Sequence, residues 1–128
     1  MSHNVVLSLG SNYGDRRANV LSAVEWAKVI LDFCRVSSVY ETEEIHGKGS
    51  PYYNCLIGGT VDVSYENLIE STKRYELDNG RDRMARMAGY VPIDIDIVVW
   101  DGEVVRPSDY SQNFFKKGYS EIAGSLRI

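Results

Sequence analysis

The run Ile93-Asp94-Ile95-Asp96-Ile97 constrains this chain most, because it alternates apolar and acidic residues without a break. A period of two belongs to a β-strand. The three isoleucines then share the face turned to a core, and both carboxylates share the other, roughly 6.5–7 Å apart along the strand. At ~5 Å and an effective dielectric of ~20, two carboxylates repel by about 3 kcal/mol. Aspartate is also depleted in strands. Two arrangements relieve the repulsion: a water-facing sheet surface, or a divalent cation held by both acids. Hard oxygen donors select magnesium over softer metals. The acidic pair alone leaves both arrangements open.

Around this strand the rest of the chain reads as a single domain over residues 1–128. Its length and 44% hydrophobic content suit one core, whereas two domains of half the size would each bury too little apolar surface. Val5, Leu7 and Leu9 alternate as a first strand, broken by Gly10-Ser11-Asn12. From Asp15, a residue suited to cap a helix, the spacing of Val20, Val24 and Ala27 becomes helical. Phe33 to Tyr40 reads as a second strand, Glu43 to Pro51 as a loop, and Tyr52 to Val63 as a third strand. Ser64 is placed to cap a second helix whose inward face carries Leu68, Ile69, Thr72 and Tyr75 and which stops at Asn79-Gly80. Arg81 to Tyr90 reads as a loop, and Asp101-Gly102 as a hairpin turn returning through Glu103-Val104-Val105. A short helix is expected near Ser120. The order is that of an α+β ferredoxin-like split β-α-β sandwich, an antiparallel sheet with helices packed on it and one face partly free for ligand.

The net charge of −4 gives no broad basic field, so small-molecule partners are expected rather than nucleic acid. No apolar stretch approaches membrane-spanning length, and the N-terminal residues lack the pattern of a signal peptide. A cytoplasmic protein, monomeric or weakly homo-oligomeric, is the expectation. Cys34 and Cys55 sit in apolar strand-like stretches, form no Cys-x-x-Cys pair, and read as reduced core thiols.

Just before the acidic strand, Gly80-Arg81-Asp82-Arg83 and Arg86 place three guanidiniums in a short Gly-bounded stretch. Guanidiniums grip phosphates bidentately, although the same residues also suit a solvated loop or pairing with Asp78 and Asp82. Metal-binding acids beside phosphate-binding arginines are the equipment for phosphoryl transfer, where a protein mainly positions groups and neutralises charge. The Gly-x-x-x-x-Gly-Lys-Ser/Thr pattern is missing, which excludes a P-loop, and Gly10-Ser11-Asn12 is no dinucleotide fingerprint.

Five segments together resemble the 6-hydroxymethyl-7,8-dihydropterin pyrophosphokinase family, in its order and spacing. They are Ser8-Leu9-Gly10-Ser11-Asn12 with Gly14-Asp15-Arg16, then Ser38-Val39-Tyr40-Glu41-Thr42, Tyr52-Tyr53-Asn54, Glu76 with Gly80-Arg81-Asp82-Arg83, and Ile93 to Ile97. The resemblance implies an ATP-dependent diphosphotransferase that moves pyrophosphate from ATP to the pterin hydroxymethyl group in folate synthesis. It implies two magnesium ions on Asp94 and Asp96, with Arg81 at the phosphates. It places Glu76, Arg83, Arg86 and Ile97 at the nucleotide, and Thr42, Glu43, Ile45, Tyr52, Asn54 and Phe114 at the pterin.

The chain departs from the family pattern in three places. Val91 stands where an arginine is usual, three residues before Asp94. Ala88 precedes Gly89 where a large aromatic is usual, with Tyr90 following. The segment after Trp100 is short and contains no histidine. Each lost charge-assisted hydrogen bond removes about 1.5–3 kcal/mol of phosphate binding. Arg86, Arg106, Lys116 and Lys117 are the cations available to replace them. The alternative is a catalytically decayed pterin- or nucleotide-binding module of the same fold.

Overall fold

A computed structural model describes residues 2–43 and 50–123. Six strands form one antiparallel sheet: β1 (His3–Ser11), β2 (Asp32–Val36), β3 (Tyr40–Thr42), β4 (Tyr52–Val61), β5 (Asp94–Trp100) and β6 (Glu103–Val104). The order is β2-β4-β1-β5-β6, with β3 also paired to β4. Helices α1 (Arg16–Ile30) and α2 (Tyr65–Asp78) provide the two crossovers of the ferredoxin-like fold. Three shorter helices follow: α3 (Arg83–Ala88), α4 (Pro107–Tyr110) and α5 (Asn113–Ile122). No helix among the described residues is long and apolar enough to cross a membrane.

The period-two pattern of the strands divides the core between the two sheet faces. Val5, Leu7 and Leu9 of β1, Cys55 and Ile57 of β4, and Ile93, Ile95 and Ile97 pack with Val20, Ala23, Val24 and Ala27 of α1 and Leu68 of α2. As the sequence predicts, Asp15 caps α1, its carboxylate accepting from the Ala18 N–H at 3.1 Å, and Ser64 caps α2 from Asn67 N–H at 3.1 Å. Asp101 and Gly102 both have positive φ, 49° and 79°, as a two-residue hairpin of this twist requires. Cys34 and Cys55 are both free.

The opposite face is apolar at one end only. There Val6, Leu56, Val98 and Val99 meet Phe115 and Ile122 of α5. Gly118 makes this seating possible: a Cβ on it would lie 2.7 Å from Leu56 Cγ and 2.7 Å from Tyr40 Oη. The expected short helix near Ser120 is therefore a ten-residue helix, Asn113–Ile122, whose buried Phe115, Gly118 and Ile122 recur at three and four residues.

Two further expectations are corrected. The strand predicted over Phe33 to Tyr40 is broken into β2 and β3. Phe33 takes φ 55°, outside extended geometry, and the register against β4 shifts between Asp32 and Arg35. Ser37 then turns its hydroxyl to the Ser38 carbonyl (2.8 Å) and accepts from Leu56 N–H (2.9 Å). The predicted loop over Arg81 to Tyr90 contains α3, capped by Asp82, which accepts from Ala85 N–H at 2.9 Å, and ended by Gly89 with φ 78°. Six residues are too few to display a helical period, although both end signals are present in the sequence.

Candidate functional site

Beyond the reach of α5, the second sheet face carries Ser8 and Gly10 of β1, Tyr52 and Asn54 of β4, and Asp94 and Asp96 of β5, positions two apart on each strand. With Thr42, Glu43, Arg106, Asp109 and Phe114 they enclose a pocket of about 250 Å³. Most of the residues assigned to pterin and metal by the resemblance are thus brought together. Ile45 lies outside the described residues.

One wall is polar. Asn54 is buried, and its amide donates to the Thr42 hydroxyl, which leaves its oxygen and second N–H without a side-chain partner among the described residues. Gly10 lies beside it, and a Cβ there would stand 3.1 Å from Asn54 Oδ1. Tyr40 donates its hydroxyl to the Phe114 carbonyl, which fixes the start of α5 and sets Phe114 at the pocket. Arg16 braces the rim, donating to the Pro51 carbonyl at 2.8 Å, pairing with Glu41 at 3.0 Å and lying over the Tyr53 ring.

The other wall is acidic. Asp96 is mostly buried, and its pKa is pushed up to about 8 by burial first, then by the charge of Asp94 and a hydrogen bond shared with it. Asp94 instead accepts from Arg81 Nη1 at 2.6 Å. Arg81 also contacts Glu76 at 3.2 Å. Burial works against the Arg81 charge, but Asp94 and Glu76 outweigh it and raise the guanidinium above its ordinary value.

Two carboxylates on one face of a strand at a pocket fit magnesium, which binds through one or two carboxylates and completes its shell with water and phosphate. No group of three or more His, Cys, Asp or Glu able to hold a metal occurs among the described residues.

The raised Asp96 value has a consequence in metal-free buffer. A carboxyl whose native pKa exceeds its unfolded one stabilises the fold fully below the unfolded value, 3.8, and loses that contribution as pH rises through about 8. Asp96→Asn removes this dependence. In EDTA, the melting temperature of the variant relative to the parent is expected to climb between pH 5 and 9, at roughly 3–5 °C per kcal/mol in a domain of this size. A flat difference across that range would count against the raised Asp96 pKa.

The remaining predicted residues are placed elsewhere. Glu76 is only 1% exposed. Its Oε2 accepts from the Ile95 N–H at 2.8 Å, and Lys73 lies 3.4 Å from Oε1, so the acid ties α2 to the strand between the two aspartates. Arg83 and Arg86 are exposed on α3 and do not line the pocket. Ile97 lines a second groove of about 160 Å³, with Tyr65, Ile69, Thr72, Lys73 and Val105. Asp96 and Arg106 line both cavities. Val91 is held by Asn12, whose side chain accepts from its N–H at 2.7 Å, and Tyr90 stacks on Tyr13. Ser8 and Asp109 belong to the pocket without having been singled out. The period of β1 placed Ser8 on that face, whereas Asp109 depends on how α4 folds back.

Comparison with known proteins agrees with this geometry. A family model described as 7,8-dihydro-6-hydroxymethylpterin-pyrophosphokinase matches residues 6–124. A 2-amino-4-hydroxy-6-hydroxymethyldihydropteridine pyrophosphokinase of Aquifex aeolicus is 32% identical over 104 residues, covering 80% of this chain and 64% of that protein. A folate synthesis bifunctional protein of Arabidopsis thaliana is 33% identical over 98 residues, covering 75% of this chain and 20% of that protein. A pyrophosphokinase of the same name from Porphyromonas gingivalis is 26% identical, with 93% and 90% covered. The chain thus spans less than two thirds of the length of the Aquifex and Arabidopsis relatives. With the match running almost end to end over the strands that build the pocket, the chain belongs to the 7,8-dihydro-6-hydroxymethylpterin-pyrophosphokinase family.

Proposed function

We propose that this chain transfers pyrophosphate from ATP to 6-hydroxymethyl-7,8-dihydropterin, with magnesium, as a step of folate synthesis. The observation that carries the reading is the single pocket in which Asp94 and Asp96 face Asn54, Thr42, Tyr52 and Phe114. Asn54 and Thr42 read the donor–acceptor edge of the pterin, and Tyr52 and Phe114 pack against its ring. Glu43 and Ile45 belong to the same side of the site. The groove lined by Ile97 takes the nucleotide, and Glu76 serves that side by fixing β5.

The pterin hydroxyl attacks the β-phosphorus of ATP, the bond to the α-phosphate oxygen breaks, and AMP leaves. Such transfer needs positioning and charge neutralisation more than covalent help. Bound magnesium, two ions in the family pattern, supplies the neutralisation between the phosphates. Asp94 and Asp96 would hold it, and Arg81 orients Asp94 through its 2.6 Å contact.

One observation favours a rival, a pterin-binding module without turnover: Arg83 and Arg86 stand on α3, outside the pocket. Incubation with ATP, magnesium and the dihydropterin decides between them. AMP and pterin diphosphate in equal amounts, lost on adding EDTA, is the expected outcome. Calorimetric binding of the pterin with no AMP formed would establish the module instead.

A further inference from the structure

The pocket has an unbalanced lining among the described residues. It contains four carboxylates, Glu43, Asp94, Asp96 and Asp109, and one cation, Arg106. Substrate phosphates entering there bring more negative charge. Three other cations of the chain stand outside this lining. Arg86 is exposed on α3, Lys116 is exposed on α5, and Lys117 lies over the Tyr40 ring.

Arg106 sits at the junction. It lines both the pterin-side pocket and the groove containing Ile97, and so does Asp96. Its Nε donates to Asp109 Oδ2 at 2.5 Å and lies 3.9 Å from Asp96 Oδ1. Nε is thereby committed, while the two terminal nitrogens make no hydrogen bond among the described residues. A guanidinium anchored through Nε presents those two nitrogens as a fixed fork, the arrangement that grips a phosphate bidentately. Asp109 reaches this position because Pro107 starts a one-turn helix directly after β6, which puts the acid three residues beyond Arg106 on the same side.

We propose that Arg106, clipped in place by Asp109, is a residue that grips the transferring phosphates of ATP between the two cavities. The assignment rests on the pyrophosphokinase reading. Arg106 is the catalytic residue here, since it touches the phosphates, and Asp109 is a positioning residue acting through it.

The test compares the full chain with Arg106→Ala, Arg106→Lys and Asp109→Asn. Steady-state AMP formation is measured alongside calorimetric binding of α,β-methylene-ATP, with magnesium present. Arg106→Ala is expected to lower kcat about 100-fold or more and to weaken binding of the analogue about tenfold or more. The KM for pterin and the melting temperature stay near the parent values. Arg106→Lys recovers part of the loss, because the charge returns without the fork. Asp109→Asn falls between the parent and Arg106→Ala, with its deficit again on the nucleotide side. Arg106→Ala within about threefold of the parent in both kcat and analogue affinity overturns the proposal, as does an equal loss of pterin binding. If the parent makes no AMP, the functional reading fails by itself. Analogue binding then decides the role of Arg106: binding that disappears in Arg106→Ala upholds it, and binding indifferent to the substitution, or absent from the parent, rejects it.

Discussion

Asp96→Asn is expected to lower AMP formation by about 10³-fold or more while leaving the chain folded. Asparagine keeps the volume and one oxygen of the side chain but removes the charge that a magnesium ion requires. Loss of one neutral hydrogen-bond donor to a developing charge typically slows an enzyme about 10²–10³-fold, and a metal ligand shared with substrate phosphates carries more. Folding is spared because Asp96 already carries a raised pKa, near 8, from burial and from Asp94, so a neutral side chain removes a strain of the metal-free protein. Two measurements check this: an AMP assay across magnesium concentrations, and a thermal melt in EDTA. Activity within tenfold of the parent at saturating magnesium would falsify the metal role. Asp94→Asn gives a useful contrast, because it also takes the charged partner from Arg81, 2.6 Å away, and is expected to lower stability as well as rate.

The largest stability effect is expected at Glu76. This carboxylate is 1% exposed and is held by three donors: the Ile95 N–H at 2.8 Å, Arg81 at 3.2 Å and Lys73 at 3.4 Å. Glu76→Ala leaves a buried backbone N–H without an acceptor and removes half of the Arg81 pairing. Breaking such a buried arrangement costs about 3–5 kcal/mol, or a melting temperature lower by on the order of 10–20 °C in a domain of this size. Glu76→Gln retains an acceptor for Ile95 and is expected to lose roughly half as much. Circular dichroism melts at pH 7 separate the three proteins, and a parent-like melt for Glu76→Ala would refute the role. Since Ile95 lies between Asp94 and Asp96, the surviving Gln variant is also expected to bind magnesium less tightly.

Wherever local pattern and global fold agree, the sequence was enough. The alternation of Ile93 to Ile97 set both the strand and the face on which its acids stand, because side-chain direction in a strand depends only on the parity of the position. Asp15, Ser64 and Asp101-Gly102 marked two helix starts and a turn through chemistry confined to three or four residues. Position in the chain could not reveal what distant segments do to one another. Glu76 carries a site signature in sequence but is buried under β5, and only packing determines whether an acid faces ligand or backbone. Arg83 and Arg86 stand exposed on α3, outside the pocket lining, whereas Arg106 lines the pocket with Asp109 against it.

Asp94 and Asp96 were therefore determined by sequence as a pair on one face. Their environment was decided by tertiary structure: the pocket wall from β1 and β4, the unequal partners Arg81 and Arg106, and the burial that raises the Asp96 pKa. The physical reason is range. Strand parity, caps and turns are settled within a few residues, but burial and charge at a site sum over groups that the chain brings together only when it folds.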